Sequence, residues 1–328
     1  MRRTIFFVLL VLCVALQPAW RGRTKKPRKV VLKIGHSLDI GHPVHKALER
    51  MNEILQAKSA GRMTLEIYPN EQLGSEREMV EQVQLGVLDM VKTSTAPLES
   101  FIPEMGVFSL PYIFRDSEHY WRVLNGEIGK ELLEKGEKVG LRGLCYFDAG
   151  SRSFYTTKKM IKVPDDLKGM DIRVMESKTS KAMVKSLGGA PTSITWGELY
   201  TSLQQGAVVG AENNPPSFET SRHYEVCKFY SLDEHTRIPD IVLISVAKWK
   251  KLKPEDQKIL KEAAVQASLF QRELWKEKTK ESLAKVKSAG VKVFNPDKKL
   301  FSAKVEPLLK TYTGTPIGNL IERIKNVK

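Results

Sequence analysis

The sequence predicts an α/β protein made of two lobes, with a long C-terminal helix that bridges both. Three observations carry that expectation. The chain has 328 residues, too many for one small domain and enough for two lobes of roughly 130 to 170 residues, each able to bury a core. A strand, helix, strand, helix alternation occurs before residue 100 and again after residue 140, the pattern of parallel α/β sheets. From Pro254 to Ser288 there is no further proline and no glycine, and the apolar residues track one helical face.

Residues 1–29 stand apart. Two arginines, Arg2 and Arg3, precede an unbroken apolar run from Ile5 to Leu16, with turn-forming or small residues at Pro18 and Ala19. This is the layout of a secretory signal followed by a basic leader, and the run is too short to span a bilayer comfortably. Eight Lys and Arg and no acid fall in this segment, so about half of the net charge of +15 belongs to it. The body is therefore only mildly basic, and a nucleic-acid partner is not expected. Its composition, 41% hydrophobic and 28% charged, is that of a soluble globular protein. Beyond the leader, Cys145 and Cys227 lie far apart in sequence and read as two buried thiols.

Along the body, Val30 to Gly35 is a short branched strand, and a turn punctuated by Gly and Pro leads into a helix from about Val44 to Ala57 with Ala47, Leu48, Met51 and Leu55 on one face. "RMTLEIYP" is the next strand. A second helix begins at Ser75, with Glu78 three residues on as a capping box, and stops at Gly86. "LDMV" is a further strand. The pattern resumes with "GLRGLCYF", "DIRVM", a helix from Ser177 to Leu187 and another from about Gly197 to Gln205. Pro254 suits the first turn of the long helix, which at 1.5 Å per residue runs roughly 50 Å and can brace both lobes.

Catalytic signatures are absent: no G-x-S-x-G elbow, no phosphate loop, no G-x-G-x-x-G and no H-E-x-x-H. A secreted hydrolase stays a remote alternative without a nucleophile or metal set to support it. His36, His42 and His45 do not have convincing zinc spacing. His42 and His45 read as capping and turn packing, whereas His36 sits one residue past a strand, where α/β proteins place ligand groups. In "LKGMDIRVM", Ile172 and Val174 share one face by the period of two and Arg173 takes the other. On the residues alone, that other face is either solvent or a site.

The order "GRMTLEIYPNEQLGSERE", "GVLDMV", "FSLPYIFRDSEHYWRVLNG" and "DLKGMDIRVMESKTSKAMVKSLGGAPTSITWGELYTSLQQGAVVGAENN" resembles the substrate-binding proteins of tripartite ATP-independent periplasmic (TRAP) transporters of the DctP type, from about Val30 to at least Phe294. The resemblance implies a periplasmic-binding-protein fold with a ligand cleft between the lobes and without catalytic residues, metal or cofactor. It places 30–150 plus 240–279 in one lobe and 151–239 plus 280–328 in the other, with the chain crossing near residues 150 and 239 and the final helix free to pack back on the first lobe. It also implies export to the periplasm, a monomer, and delivery of a small carboxylate to integral membrane subunits. By resemblance Arg173 clamps the solute carboxylate, which suits a planar guanidinium that can hold both oxygens. Arg152 is a second cleft arginine, Asn213 a donor to the carboxylate end, and Trp196 an aromatic wall. His36, Ser37, Glu76, Ser94 and Thr95 line the opposite lobe, with Asn214 adding a polar group. Val209 and Asn214 depart from the family pattern. Hydroxyl-binding groups and the negative charge of Glu76 point to a monocarboxylate sugar acid, a uronate before an aldonate, with a keto acid, dicarboxylate or aromatic acid as alternatives.

Overall fold

The computed structural model describes residues 29–328. Apart from Lys29, the leader expected over residues 1–29 lies outside the described residues. In chain order, β1 (Val30–Gly35), α1 (Pro43–Lys58), β2 (Met63–Tyr68), α2 (Glu76–Gln84) and β3 (Met90–Ser94) lead to 3-10 turns over Pro97–Ser100 and Pro103–Ser109, then α3 (Ser117–Asn125), α4 (Glu127–Lys135) and β4 (Leu141–Phe147). The chain crosses to β5 (Arg152–Thr156), β6 (Asp171–Val174), α5 (Lys178–Ser186), β7 (Ala190–Ser193), α6 (Trp196–Gln205), β8 (Gly210–Asn213), α7 (Pro215–Thr220) and β9 (Phe229–Thr236). It crosses back into β10 (Asp240–Ser245), α8 (Val246–Trp249) and α9 (Pro254–Ser288), and ends with β11 (Lys292–Phe294), α10 (Lys298–Lys310) and α11 (Pro316–Asn326).

Two sheets result. The first has the order β2-β1-β3-β10-β4, with β1 parallel to β2 and β3 and with β10 antiparallel to its neighbours. The second has the order β11-β9-β5-β8-β6-β7. Helices cover both faces of each. In the first lobe α2, α3 and α4 pack one face around Met79, Val83, Tyr120 and Leu132, while α1 and α9 pack the other around Leu48, Met51, Leu260 and Ala263. In the second, α5 and α10 cover one face and α6, α7 and the end of α9 the other. Helix α10 buries Phe301 and Val305 in the second lobe, whereas α11 returns to bury Leu320, Ile321 and Ile324 in the first.

Local signals account for the elements expected from sequence. His42 accepts Val44 N at the start of α1, and Ser75 and Glu78 form the expected capping box on α2. Unexpected were α3, α4, α7, α8 and α10, and the strands β5, β7, β8, β9, β10 and β11, of which β10 makes the first sheet mixed where a parallel one was expected. Strand β8 is Gly-Ala-Glu-Asn, a run of poor strand formers, and it is held in place by pairing with β5 on one side and β6 on the other. Strand β7 carries Pro191 and is tolerated because it is an edge.

The crossings form a two-stranded ribbon. Phe147 pairs with Asp240 in the first sheet and Arg152 pairs with Thr236 in the second, so the β4-to-β5 and β9-to-β10 connections run side by side. Helix α9, with 35 residues, is the third link. It packs on α1 and β4 in one lobe and on α7 in the other. Ala263, Ala264 and Ala267 let it approach the sheet closely. Gln271 of α9 serves as a substitute ladder partner for the crossing: its Oε1 accepts Asp148 N at 2.7 Å and its Nε2 donates to Asp148 O at 2.8 Å. Just beyond, Gly150 has φ +59, and an added Cβ would lie 2.8 Å from Trp275 Nε1, so both backbone shape and space exclude other residues. Replacing Gln271 by Leu strands two buried backbone groups. It should destabilise the protein by about 1 to 3 kcal/mol, read as a lower urea midpoint, whereas Lys276→Ala on the exposed side of α9 should leave the midpoint unchanged.

Candidate functional site

A polar chamber of about 40 Å³ lies between the lobes beside the crossing ribbon, and two further spaces of about 100 and 230 Å³ adjoin it around Trp196. Ser37, Leu38, His42, Glu76, Lys92 and Ser94 come from the first lobe, and Arg152, Arg173, Met175, Trp196, Asn213, Asn214 and Ser217 from the second. Ala149, Asp240 and Trp275 close it from the crossings and α9. The lobes touch across it: His42 Nδ1 accepts from Val44 N, so its Nε2–H donates to Ser217 Oγ at 3.2 Å.

Arg173 projects from β6 as the alternation requires, with Ile172 and Val174 in the core behind it. It is only 3% exposed. Its Nε donates to Ile194 O at 2.8 Å, its guanidinium lies 5.8 Å from the Trp196 ring, and its Nη1 is buried without a partner. Among the described residues no carboxylate lies within ion-pair distance of it. Burial depresses its pKa, which the nearby Tyr155 and Glu212 only partly offset. A buried, uncompensated guanidinium is costly, and here no side chain among the described residues supplies the missing counter-charge.

Arg152 lines the same chamber in a different state. Its Nε and Nη2 donate to Glu212 Oε2 and Oε1 at 2.5 and 2.9 Å, its Nη2 also to Glu212 O at 2.7 Å, and its Nη1 to Asn213 Oδ1 at 2.8 Å. Its charge is thus compensated from within the protein, by Glu212 of "GAENN", a residue no motif marks. Behind it His235 Nδ1 donates to Asp233 Oδ2 at 2.7 Å, and His235 Nε2 lies 3.5 Å from Glu212 Oε2. Burial alone would lower the His235 pKa, but Asp233 and Glu212 outweigh it and lift the pKa to about 9. Burial likewise works against ionised Glu212, yet Arg152 and His235 hold it at about 2. Because an arginine can only donate, Asn213 Oδ1 must face Arg152. That oxygen also accepts from the Asn214 N and Nδ2, so the Asn213 Nδ2 is the donor turned to the chamber.

On the opposite wall Glu76 Oε1 accepts Ser94 N at 3.1 Å and Ser37 Oγ at 3.4 Å. Capping of α2 falls to Ser75 and Glu78, which leaves Glu76 for the cleft. Lys92, 1% exposed, pairs with Asp240 Oδ2 at 2.8 Å. Desolvation pushes the Asp240 carboxyl up to about 6, with Lys92 opposing and Glu76 reinforcing the rise.

Eight of the ten residues expected from sequence meet here: Arg173, Arg152, Asn213, Asn214, Trp196, Glu76, Ser37 and Ser94. His36 and Thr95 do not. His36 is fully buried with both ring nitrogens engaged, Nε2 on His45 Nδ1 at 3.0 Å and Nδ1 on Leu38 N at 3.2 Å. His42, assigned only to capping, is the histidine that reaches the chamber. Thr95 follows Ser94, and successive side chains of an extended chain face opposite ways; it is buried outside the chamber, its Oγ1 unpartnered. The same period of two, applied backwards from Ser94, was the available signal for Lys92. Nothing comparable marked Asp240 or Trp275. Cys145 and Cys227 are free and buried.

Two α/β lobes on a crossing ribbon, with a polar chamber between them that presents an unpaired guanidinium, define a two-lobed solute-binding protein. The chain belongs to the DctP family, the bacterial extracellular solute-binding proteins of family 7, whose model matches residues 34–315. It is similar to the TRAP periplasmic solute-binding protein of Xanthobacter autotrophicus with bound β-D-galacturonate, at 38% identity and a TM-score of 0.87, over 90% of this chain and 100% of that one. The TRAP protein of Roseobacter denitrificans with bound β-D-glucuronate matches at 36% identity and 0.88, over 91% and 100%. The 2,3-diketo-L-gulonate-binding periplasmic protein of Escherichia coli is 31% identical over 83% of each chain.

The buried His235 gives the site a pH signature. With its pKa raised from 6.5 to about 9, the folded state holds more protons than the unfolded state in that window. Its stabilising contribution is complete below about pH 6.5 and is lost as pH rises through about 9. The urea midpoint should fall across that range, and His235→Gln should flatten the fall.

Proposed function

We propose that this chain is the soluble receptor of a TRAP transporter, that it works in the periplasm and hands its solute to integral membrane subunits, and that the solute is a hexuronate. The observation that carries the solute class is the charge pattern of the chamber. Arg152 and Lys92 are each compensated by a carboxylate of the protein, and Arg173 alone is not. One anionic group is therefore recognised there, with bidentate geometry available. Across the chamber the Glu76 carboxylate, with the Ser37 and Ser94 hydroxyls beside it, suits sugar hydroxyls and repels a second carboxylate. Asn213 donates beside Arg173, and Trp196 offers an apolar face to a ring. The galacturonate and glucuronate held by the two similar receptors fit this pattern.

A chamber of about 40 Å³ is smaller than a sugar ring needs, so entry requires the ribbon to hinge open. A thermal-shift screen of galacturonate, glucuronate, gluconate, pyruvate, succinate and benzoate tests the solute, since a ligand at 100 times its Kd stabilises by about 2.7 kcal/mol. The uronates should give the largest shifts. A response to succinate or benzoate with none to sugar acids rejects the hexuronate reading.

Arg173→Met tests the clamp with two signs. Solute binding should weaken by about 2 to 5 kcal/mol by calorimetry, while the ligand-free melting temperature holds or rises because a buried uncompensated charge is gone. Arg173→Lys should recover only part of the binding. Near-normal affinity in the methionine variant would sink the assignment.

A further inference from the structure

We infer that Glu71 is the positioning residue of the closed cleft: from the first lobe it caps helix α6 of the second, and so holds the clamp in register. The inference rests on the reading of this cleft as one that closes on a solute. Helix α6 carries Trp196 at its first position, and the residue two before it, Ile194, supplies the carbonyl that holds Arg173 Nε at 2.8 Å. Its own N-cap residue, Thr195, makes no side-chain hydrogen bond to the helix backbone and gives its hydroxyl to Glu198 instead. The open amide of Gly197 is taken by Glu71 Oε2, at 2.9 Å, from the other lobe. A carboxyl at a helix N-terminus is worth the bond and the dipole interaction together.

Three further features fit that role. Asn70 and Glu71 both have left-handed backbone, φ 54 and 55, a strained conformation for a residue such as glutamate. The strained pair is pinned by Asn70 N to Leu38 O and Glu71 N to His36 O, on the segment that forms the cleft wall. A Cβ at residue 197 would lie 2.7 Å from Glu71 Oε2, so a side chain there displaces the carboxyl from its present contact. The second carboxyl oxygen, Oε1, is buried and has no partner.

The unpartnered oxygen makes the cap sensitive to protons. Burial pushes the Glu71 carboxyl up to about 7, Glu76 adds to the rise, and Gly197 N–H and Arg173 oppose it. The other charged groups facing it are Arg77 and Glu176, paired with each other at 2.6 Å across one mouth, and Asp39 in the other. His223 shares that second mouth but is neutral, held at about 3 by burial and Arg173. In an open cleft Glu71 faces water with an ordinary carboxylate pKa near 4.5. Closure therefore takes up a proton between those values and is favoured as pH falls through about 7.

The test reads closure without any solute, so it stands whether or not a uronate is the ligand. Arg77→Cys with Glu176→Cys places a thiol on each lobe where the 2.6 Å ion pair now is, and a short bismaleimide joins them at a rate that follows the closed population. At pH 5.5, adding Glu71→Ala or Gly197→Ala should slow cross-linking about fivefold, the equivalent of a lost cap, and Glu71→Gln should restore the parent rate. Gly197→Ala is the sharper variant, since alanine would strengthen an isolated helix. From pH 5.5 to 8 the parent rate should fall relative to that of Glu71→Gln. Parent-like rates for both alanine variants at pH 5.5 would overturn the cap, and a constant ratio to Glu71→Gln would overturn its proton dependence.

Discussion

A guanidinium taken out of water needs an anion, and at Arg173 the protein supplies none: one N–H goes to a backbone carbonyl, and Nη1 is buried with no partner. Most of what surrounds it follows from that imbalance. The other buried cations of the chamber are kept from competing for an anion by carboxylates of their own, Glu212 for Arg152 and Asp240 for Lys92. Had Arg152 been free as well, the chamber would favour two carboxylates over one. Compensation is thus as informative as charge, because it leaves a single position at which an anionic group gains more than it loses in desolvation.

The Arg152–Glu212 pair shows how such compensation is kept affordable in a site that must stay rigid. Both carboxylate oxygens of Glu212 are engaged by Arg152, a third contact goes to the backbone, and His235 with Asp233 extends the network behind. Fully satisfied buried networks rigidify, whereas half-satisfied ones are a liability. Here the Arg152–Glu212 bonds underlie Asn213 and fix which end of its amide points into the chamber. Glu99 applies similar logic between the lobes, accepting Ser177 Oγ, Thr179 N and Thr179 Oγ1 at the start of α5.

The period of two in "DIRV" places Arg173 opposite the core, and the alternation of strand and helix with a proline-started, glycine-free C-terminal stretch indicates the two lobes and α9. Both are local signals, legible because neighbours in sequence decide them. Resemblance added Arg152, Asn213 and Trp196, whose placement depends on strands and turns with weak propensities of their own. Lys92 was within reach of the same alternation that identified Ser94, and Thr95 should have been excluded by it. What stayed hidden were the partners: Glu212 for Arg152, Asp240 for Lys92, Ser217 for His42. Each is a pairing between segments 60 or more residues apart, and no periodicity encodes which carboxylate a buried cation will meet. His36 is withheld from the chamber for a similar reason, since His45, nine residues on, occupies its ring, while His42 both caps α1 and reaches the chamber.

The positions of the ion pairs also join recognition to motion. Arg152 opens β5 directly after one crossing, and Asp240 opens β10 directly after the other. These are the residues at which the ribbon enters each sheet, paired in register with Thr236 and Phe147. A hinge that rotates there carries Arg152 with its network into the second lobe and leaves Asp240 with Lys92 in the first. Neither pair has to break, since Arg152 and Glu212 belong to one sheet and Lys92 and Asp240 to the other. Opening at such a hinge would separate the walls without exposing an uncompensated charge, except at Arg173. Under the proposed function Arg173 gains water when the cleft opens and an anion when it closes on solute. Of the buried cations in the chamber it is then the one whose solvation changes sides with the hinge, and anion binding and lobe closure become one event.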